Sequence, residues 1–551
     1  MSEHDTEPAE EHSREGVASA ALLMIVAIIL SAAAGLARDI LYARHFEEAR
    51  YAAFVMAFAP VDLLYILLAG GALRTGFVPV FTGMRERGAT QAAWRTFDAC
   101  LGGLLLVGSC VIGLGMVFTP QLTQVVAGGE EFTPTQISLC ARLMRIILPA
   151  QLFFLVGGLL MGALNALRHF LWPAVGPILY NCVLIAGVLT VARIHDWGVT
   201  GQAVVVVAGA VLSGFVLQAW ALRRRGVPMR PRLDARDDGL RQVLGLALPI
   251  IFGLAVPQVN KMIILRFSTD VSPTAPRILD FGYHIVSLVV RAFGGGMAIA
   301  LYPTLAALSA TARPEEFRRG VSFGVRSVLF LSIPTIALVV VLRQPIVRLL
   351  FEGGEFTADD TTRLCSVLVW YSIGAVPFAI QGVLARAFYA MRDARTPLYI
   401  GIVVVIAALL GGRLLTRPFG LDGCAMAWSL PPVLYVVLLL AVLSKRCGGI
   451  QGGRMLVTLG KTALAALHGA LAARGALELL QRAIDGGSLT HKLLLALAPA
   501  AAGAVVFIVF GWMIRLEEIG LAREALQRRL RRTSQQEADE HGEEEDADSV
   551  S

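Results

Sequence analysis

Charged side chains are scarce in this chain. Asp, Glu, Lys and Arg make up 16% of its 551 residues, where a soluble domain carries about 25%. The shortage is concentrated: residues 20–36, 101–118 and 203–222 contain no charge at all. A helix that spans a bilayer needs about 20 predominantly apolar residues, and a window near 19 residues finds about fourteen such blocks. The gathering of apolar residues into blocks excludes a large soluble core. The blocks are too long for barrel strands and do not alternate with period two, which disfavours a β-barrel. The expected class is an all-α polytopic membrane protein with about 14 transmembrane helices.

Cysteine supplies no framework. The seven (Cys100, Cys110, Cys140, Cys182, Cys365, Cys424, Cys447) are scattered, odd in number and without a C-x-x-C pair. They read as small buried side chains rather than disulfides or a zinc site. No Gly-x-x-x-x-Gly-Lys-Ser/Thr motif is present, so ATP hydrolysis is not indicated. No Ser/His/Asp set, metal-ligand spacing or carboxylate pair stands out either. The expectation is no enzyme and no cofactor, with work coupled to an ion gradient, the membrane potential or the substrate gradient. The net charge of +7 falls mainly in short loops, where membrane topology explains it, so no nucleic-acid partner is expected. Residues 1–16 are acidic and lack the basic n-region of a cleavable signal peptide; the first apolar block is expected to be a retained span.

What the chain does have is a repeat. Gly129, Glu131, Phe132 and Thr133 return as Gly353, Glu355, Phe356 and Thr357. Ala166-Leu167-Arg168 with Pro173 returns as Ala390-Met391-Arg392 with Pro397, and Gly71 and Pro79 return as Gly295 and Pro303. The separation is constant: 132 from 356, 173 from 397 and 79 from 303 are equal steps along the chain. Two like apolar halves with a site between them are the usual plan of a secondary transporter. Arginines cluster in the loops after every second span, as in Arg85/Arg87, Arg168, the run Arg223 to Arg236, Arg313/Arg318/Arg319, Arg392/Arg395 and Lys445/Arg446. Loop 120–134 has no Lys or Arg. Basic loops stay cytoplasmic, so both termini are expected there. The organisation that follows is an acidic N-terminus (1–16), an N-lobe of six spans (17–225) and a linker (226–238). A C-lobe of six spans (239–447), spans 13–14 (448–515) and an amphipathic then acidic cytoplasmic tail (516–551) complete it. An even number of spans per half makes the repeats parallel.

The run 354–360, Gly-Glu-Phe-Thr-Ala-Asp-Asp, resembles a signature of the MurJ/MviN lipid II flippase family, within the multidrug/oligosaccharidyl-lipid/polysaccharide exporter superfamily. So does 387–397, Ala-Phe-Tyr-Ala-Met-Arg-Asp-Ala-Arg-Thr-Pro. Gly35-Leu-Ala-Arg-Asp39, Gly71-Ala72 with Phe77-Val-Pro79, and Pro249, Gly253 and Gln258-Val-Asn260 also fit. The resemblance runs in register from about residue 30 to 445. It implies transport of a lipid-linked pyrophosphate precursor across the bacterial cytoplasmic (inner) membrane, with membrane lipids and cell-wall synthesis proteins as partners. It implies a cavity lined by spans 1, 2, 7 and 8, and an apolar groove for the polyprenyl tail on spans 13 and 14. This chain departs from the family's charges. It has Ala32 and Tyr65 where the family has arginines, and Tyr283-His284 where the family has an Asp-Arg pair. A flippase for another lipid-linked oligosaccharide and a non-transporting scaffold for wall synthesis are the rival readings.

An ionisable residue near the bilayer centre costs about 2.5–3.5 kcal/mol on insertion scales, so such residues are functional candidates. Arg38 and Asp39 end the first span, adjacent and about 100° apart on a helix, so each is expected to find its own partner. They read as substrate ligand and ion-coupling group, or as a structural ion pair. Asp62 and Arg74 lie in span 2, Lys261 in span 7, and His284 and Arg291 in span 8. Arg38, Lys261, Arg291, His284 and Arg74 are the candidate anion ligands; Asp39 and Asp62 are the candidate coupling groups. Gly294, Gly295 and Gly296 suit a hinge or close packing. Arg168 and Arg392 read as structural, each bonding the carbonyls that end the preceding helix.

Overall fold

The computed structural model describes residues 7–68, 72–191, 197–311, 313–483 and 488–520. The tail beyond 520, the acidic side chains of the N-terminus, Gly71 and the side chain of Arg74 lie outside the described residues. Apart from one isolated bridge between Gly353 and Phe356, regular structure among the described residues is helical. The order is α1 (Glu7–His45), α2 (Glu48–Leu68), α3 (Ala72–Glu86), α4 (Thr90–Val117), α5 (Thr119–Ala127), α6 (Pro134–Ile147), α7 (Ala150–Ala166) and α8 (Leu171–Leu189). Next, α9 (Gly198–Gly209) runs through a π-helical stretch (Ala210–Val216) into α10 (Leu217–Arg223). Then come α11 (Asp238–Ser268) and α12 (Ala275–Val289), the latter running through a second π-helical stretch (Val290–Gly295) into α13 (Gly296–Ala310). The chain closes with α14 (Pro314–Val341), α15 (Arg343–Leu350), α16 (Ala358–Ala390), α17 (Arg395–Cys447), α18 (Gly452–Ala483) and α19 (Leu489–Met513).

Twelve helical stretches among the described residues are long and apolar enough to cross a membrane. One of them, α17, is 53 residues long and breaks at Gly420 (φ 55°, ψ −127°), which separates the expected spans 11 and 12. The expected span 7 is α11, of 31 residues. Each of the fourteen expected spans therefore has a helix. The sequence repeat is also a structural one: α4, α5, α6 and α8 begin at the repeat positions matching the starts of α14, α15, α16 and α17. The repeated threonines are helix caps. Thr133 Oγ1 accepts from Gln136 N at 3.2 Å, and Gln136 Oε1 accepts from Thr133 N at 3.2 Å. Thr357 Oγ1 accepts from Asp360 N at 3.2 Å, and Asp360 Oδ2 accepts from Thr357 N at 3.0 Å. Each reciprocal box satisfies two backbone donors that a helix start leaves free.

Contacts group the chain into two units. The first holds residues 1–288, 350–374 and 392–435. Its largest apolar cluster joins α3, α4, α7, α10 and α11 through Phe77, Phe81, Phe97, Leu159, Leu160, Leu222 and Val243, with Trp94 against it. Helices in a membrane gain little from apolar burial, because lipid is as apolar as leucine; close approach over small residues takes its place. Gly157 accordingly faces the backbone of Gly214, and Gly76 faces Val243 and Ala247 of α11. The second unit holds 289–349, 375–391 and 436–551. There α18 and α19 pair with each other through Gly469 and Gly503 and pack on α14, with Phe507, Ala465 and Phe330 in one cluster.

Candidate functional site

Three of the first unit's membrane helices bring their charges into one chain of contacts. Arg38, from α1, donates to Asp39 Oδ1 through Nε (3.0 Å) and Nη2 (2.7 Å) and to Asn181 Oδ1 on α8 through Nη1 (3.1 Å). Asp39 Oδ2 lies 2.9 Å from His284 Nδ1, on α12. His284 Nε2 lies 3.8 Å from Asp280 Oδ2, one turn earlier on the same helix. Asp280 Oδ1 lies 2.9 Å from Lys261 Nζ, on α11, and that ammonium also sits 4.7 Å from the centre of the Tyr283 ring. Basic and acidic side chains alternate, and His284 lies between two carboxylates. The side chains of Asp39, Asp280 and Lys261 are 8%, 7% and 13% exposed, so each charge depends on its partner: an unpaired buried ion costs several kcal/mol. Beside them, Asn260 is buried with its Oδ1 unbonded among the described residues. Asp62, on α2, makes no ion pair within the described residues but has Lys261, Asp280, His284 and Arg38 among its electrostatic neighbours.

A second polar assembly ties the two repeats together within the same unit. Arg277, fully buried at the start of α12, lies 3.3 Å from both Asp360 and Glu48. It donates to the carbonyls of Ala43 and Glu355 at 3.0 Å each. The Gly353–Phe356 loop thus docks on the junction of α1 and α2, where Glu355 N also donates to Arg44 O at 3.1 Å. Gly354 has a positive φ, and a Cβ there would collide with the Arg44 carbonyl, so only glycine fits. The first repeat's copy of this loop docks on the junction of α11 and α12. Glu131 N donates to Thr269 O at 3.2 Å, Arg266 Nη2 donates to Gly128 O at 3.1 Å, and Gln136 Nε2 donates to Pro273 O at 3.0 Å and, within its own repeat, to Ala49 O on α2 at 3.0 Å. Each repeat therefore grips the other's helix junction with the same loop. Tyr51, Phe281, Phe351 and Phe356 stack beneath it.

The expected residues divide accordingly. Arg38, Asp39, Lys261 and His284 meet. Arg38 and Asp39 each reach a different further group, Asn181 and His284, and also pair with each other. Arg291 lies in the second unit, exposed, without an ion-pair partner among the described residues. Gly294 packs against the Ala379 backbone, whereas a Cβ at Gly295 or Gly296 would meet open space; of the three, close packing explains only Gly294. Arg168 and Arg392 share the same left-handed turn (φ 60° and 59°). Neither guanidinium bonds a helix-ending carbonyl among the described residues, so the expected carbonyl bonding is corrected. Sequence reasoning passed over Asp280 and Arg277, because a charge at the first turn of a span reads as loop. Their signal was the spacing of Arg277, Asp280 and His284 at three and four residues, which gives one helical face.

A sequence model of the lipid II flippase MurJ family matches residues 43–495. The lipid II flippase MurJ of Burkholderia cenocepacia is 28% identical over 426 residues, covering 76% of this chain and 82% of its own. The probable lipid II flippase MurJ of Haemophilus influenzae is 28% identical over 439 residues, covering 76% and 84%. That of Synechocystis is 24% identical over 542 residues, covering 95% and 99%. Among solved structures, a lipid II flippase MurJ in an inward closed conformation superposes with a TM-score of 0.73 at 18% identity, over 90% of this chain and all of the other. An inward-facing multidrug resistance transporter of the MATE family gives 0.62 at 16% identity, over 77% of this chain and 98% of its own. Both likenesses at this identity are likenesses of fold.

Proposed function

This chain belongs to the MurJ lipid II flippase family, and on that premise we propose that it moves lipid II, the lipid-linked peptidoglycan precursor, across the bacterial cytoplasmic membrane by alternating access. Both termini are cytoplasmic in this reading, the substrate is bound rather than chemically converted, and the two six-span lobes rock about the site between them. The observation that carries it is the alternating chain Arg38–Asp39–His284–Asp280–Lys261 on the helices of spans 1, 7 and 8. Carboxylates hold the cations in place while no substrate is present. A pyrophosphate competes for those cations: arginine offers two parallel donors, and lysine a point charge in a poorly hydrated site. Protonation of Asp39 or Asp62, or ion binding there, releases positive charge to the substrate and supplies the coupling. Arg74 and Arg291 are further candidate anion ligands, and Gly294, Gly295 and Gly296, at and just after the π-helical stretch, are the candidate hinge. Helices α18 and α19 hold the polyprenyl tail.

The cations that this chain keeps stand in for the arginines it lacks at Ala32 and Tyr65. The test is binding by the purified protein. Lipid II binds more tightly than a neutral polyprenol of equal length, and the preference weakens as salt rises. Equal binding of both lipids would remove the pyrophosphate from the recognition and the assignment with it. The Tyr283-His284 pair favours one second reading, a flippase for a different lipid-linked oligosaccharide. Tight binding of such a lipid with no response to lipid II selects it.

A further inference from the structure

The chain of charges in the first unit has one member whose charge ordinarily changes near neutral pH, since histidine titrates at about 6.5. It is also the member most open to water. The side chain of His284 is 24% exposed, more than any of the other four. Its two ring nitrogens face two different carboxylates. Nδ1 lies 2.9 Å from Asp39 Oδ2 on α1, and Nε2 lies 3.8 Å from Asp280 Oδ2 on its own helix. A neutral imidazole carries one N–H and one lone pair, so it turns a lone pair toward one of those carboxylates. Only the imidazolium offers a donor to both. Nδ1 approaches Asp39 out of line for a hydrogen bond and has no other partner among the described residues, so no aligned bond locks the ring.

The charges around it balance while the ring is neutral. Arg38 is paired with Asp39, and Lys261 with Asp280. Asp62, on α2, is the further carboxylate among the electrostatic neighbours. The other polar aromatics packed about the site are Tyr42 beside Arg38, Tyr51 from α2, Tyr283 on α12 itself, and Tyr371 from α16 with Trp428 from α17. Phenols titrate at about 10, so none of them carries charge near neutral pH. A proton added to His284 alone therefore leaves one uncompensated positive charge among buried groups, which a poorly hydrated site resists. An anion bound at the same time compensates it.

Lys261 supplies the reason for the proton. The cavity against the Lys261–Asp280 pair, lined also by Tyr283, Tyr371 and Trp428, measures about 10 Å³, room for about one water and not for a diphosphate. Lys261 reaches such a substrate only by parting from Asp280, and Asp280 is then buried without its cation. His284, four residues on and on the same helical face, is the replacement partner already in place.

We propose that His284 takes up one proton when the anionic substrate binds. The new N–H bond forms at the ring nitrogen whose lone pair faces a carboxylate, and the proton comes from water at the exposed part of the ring. The imidazolium then holds Asp39 and Asp280 while Arg38 and Lys261 turn to the diphosphate. His284 is thus a positioning residue that acts on the carboxylates. The inference rests on the diphosphate reading of this site and deepens it: proton and substrate bind together, each tightening the other.

The experiment is lipid II binding by the purified full chain in detergent between about pH 5.5 and 8.5, with a neutral polyprenol of equal length as reference. Affinity of the parent should fall as pH rises, by up to about tenfold per unit where the imidazole loses its proton. His284→Arg, a cation at every pH, should flatten the profile; any titration of the lipid itself persists in that variant and is subtracted. His284→Gln should flatten it at or below the high-pH affinity of the parent. Calorimetry on the parent alone, in two buffers of different ionisation heat at about pH 7, should show net proton uptake of at most about one per lipid II bound. Lipid II binding with no proton uptake overturns the inference. So does a slope retained in both variants, which moves the proton to Asp39 or Asp62. No preference for lipid II over the polyprenol at any pH overturns the substrate reading itself, and this inference with it.

Discussion

Lys261 and Asp280 illustrate how much at the residue scale is legible in sequence. A lysine between Asn260 and Met262 in an apolar run stands out, because a charge at that depth is costly unless it is used. Asp280 does not stand out, since it falls beside the expected start of span 8, where a charge reads as loop. Only the fold gives Lys261 that partner, 2.9 Å away. The pairing makes a testable asymmetry. Lys261→Met or Asp280→Leu alone leaves a buried charge unpaired and should destabilise the protein by about 3–5 kcal/mol. The double substitution should recover most of that loss in thermal unfolding yet leave lipid II transport abolished. A double variant as unstable as either single one would show that the pair is not an isolated unit. A double variant that still transports would remove it from the substrate path. His284→Phe tests the bridge separately: it keeps the ring and drops the contact to both carboxylates, so transport should fall while the helices stay inserted.

At the scale of elements, the repeat was legible as a spacing and its purpose was not. Sequence alone shows that Gly-Glu-Phe-Thr occurs twice in part; the structure shows that each copy grips a helix junction of the other repeat. That exchange could not be read from spacing, because the partners are backbone carbonyls, which carry no sequence signal. If the grip holds the two junctions closed on that side, Gly354→Ala should loosen it, since the added Cβ meets the Arg44 carbonyl at a backbone angle that favours glycine. A cysteine at Phe281, buried beneath the loop, should then label faster in the variant than in the parent. Equal labelling rates would show that the loop is not the closure. A different element docks by charge at the other end of the chain. Arg326, in α14, lies 2.7 Å from Glu517 and 3.4 Å from Glu518. Its hydrogen bond and charge hold the Glu517 carboxyl below the usual carboxylate range. A lowered folded-state value means that this contribution is present above the ordinary glutamate range, about 4.3, and is lost as pH falls through the lowered value. Amide protection over residues 514–520, measured relative to the intrinsic exchange rate at each pH, should therefore fall in acid and stay constant above neutrality. Since Glu517 is exposed, the effect should be small and reduced by salt.

At the scale of the whole molecule, the apolar blocks and the constant repeat spacing were sufficient for an all-α polytopic protein with two like halves. Among the described residues, the twelve membrane-length stretches become thirteen once α17 is divided at Gly420, and α11 stands at the remaining expected span. The rhythm of basic loops adds an orientation, which predicts that cysteines placed at the exposed positions Glu130 and Pro228 label from opposite sides of the membrane. Labelling of both from one side would break the fourteen-span topology. What composition could not supply is the substrate, because pyrophosphate recognition depends on which few cations converge and this chain has shifted several of them. The most direct test of the central claim is complementation. Expressed in a bacterium depleted of its own lipid II flippase, this chain should restore growth and wall synthesis, and Lys261→Met with Asp280→Leu at equal membrane abundance should not. Failure of the parent chain to restore growth while it is present and folded in the membrane, or full rescue by the paired variant, would contradict the account.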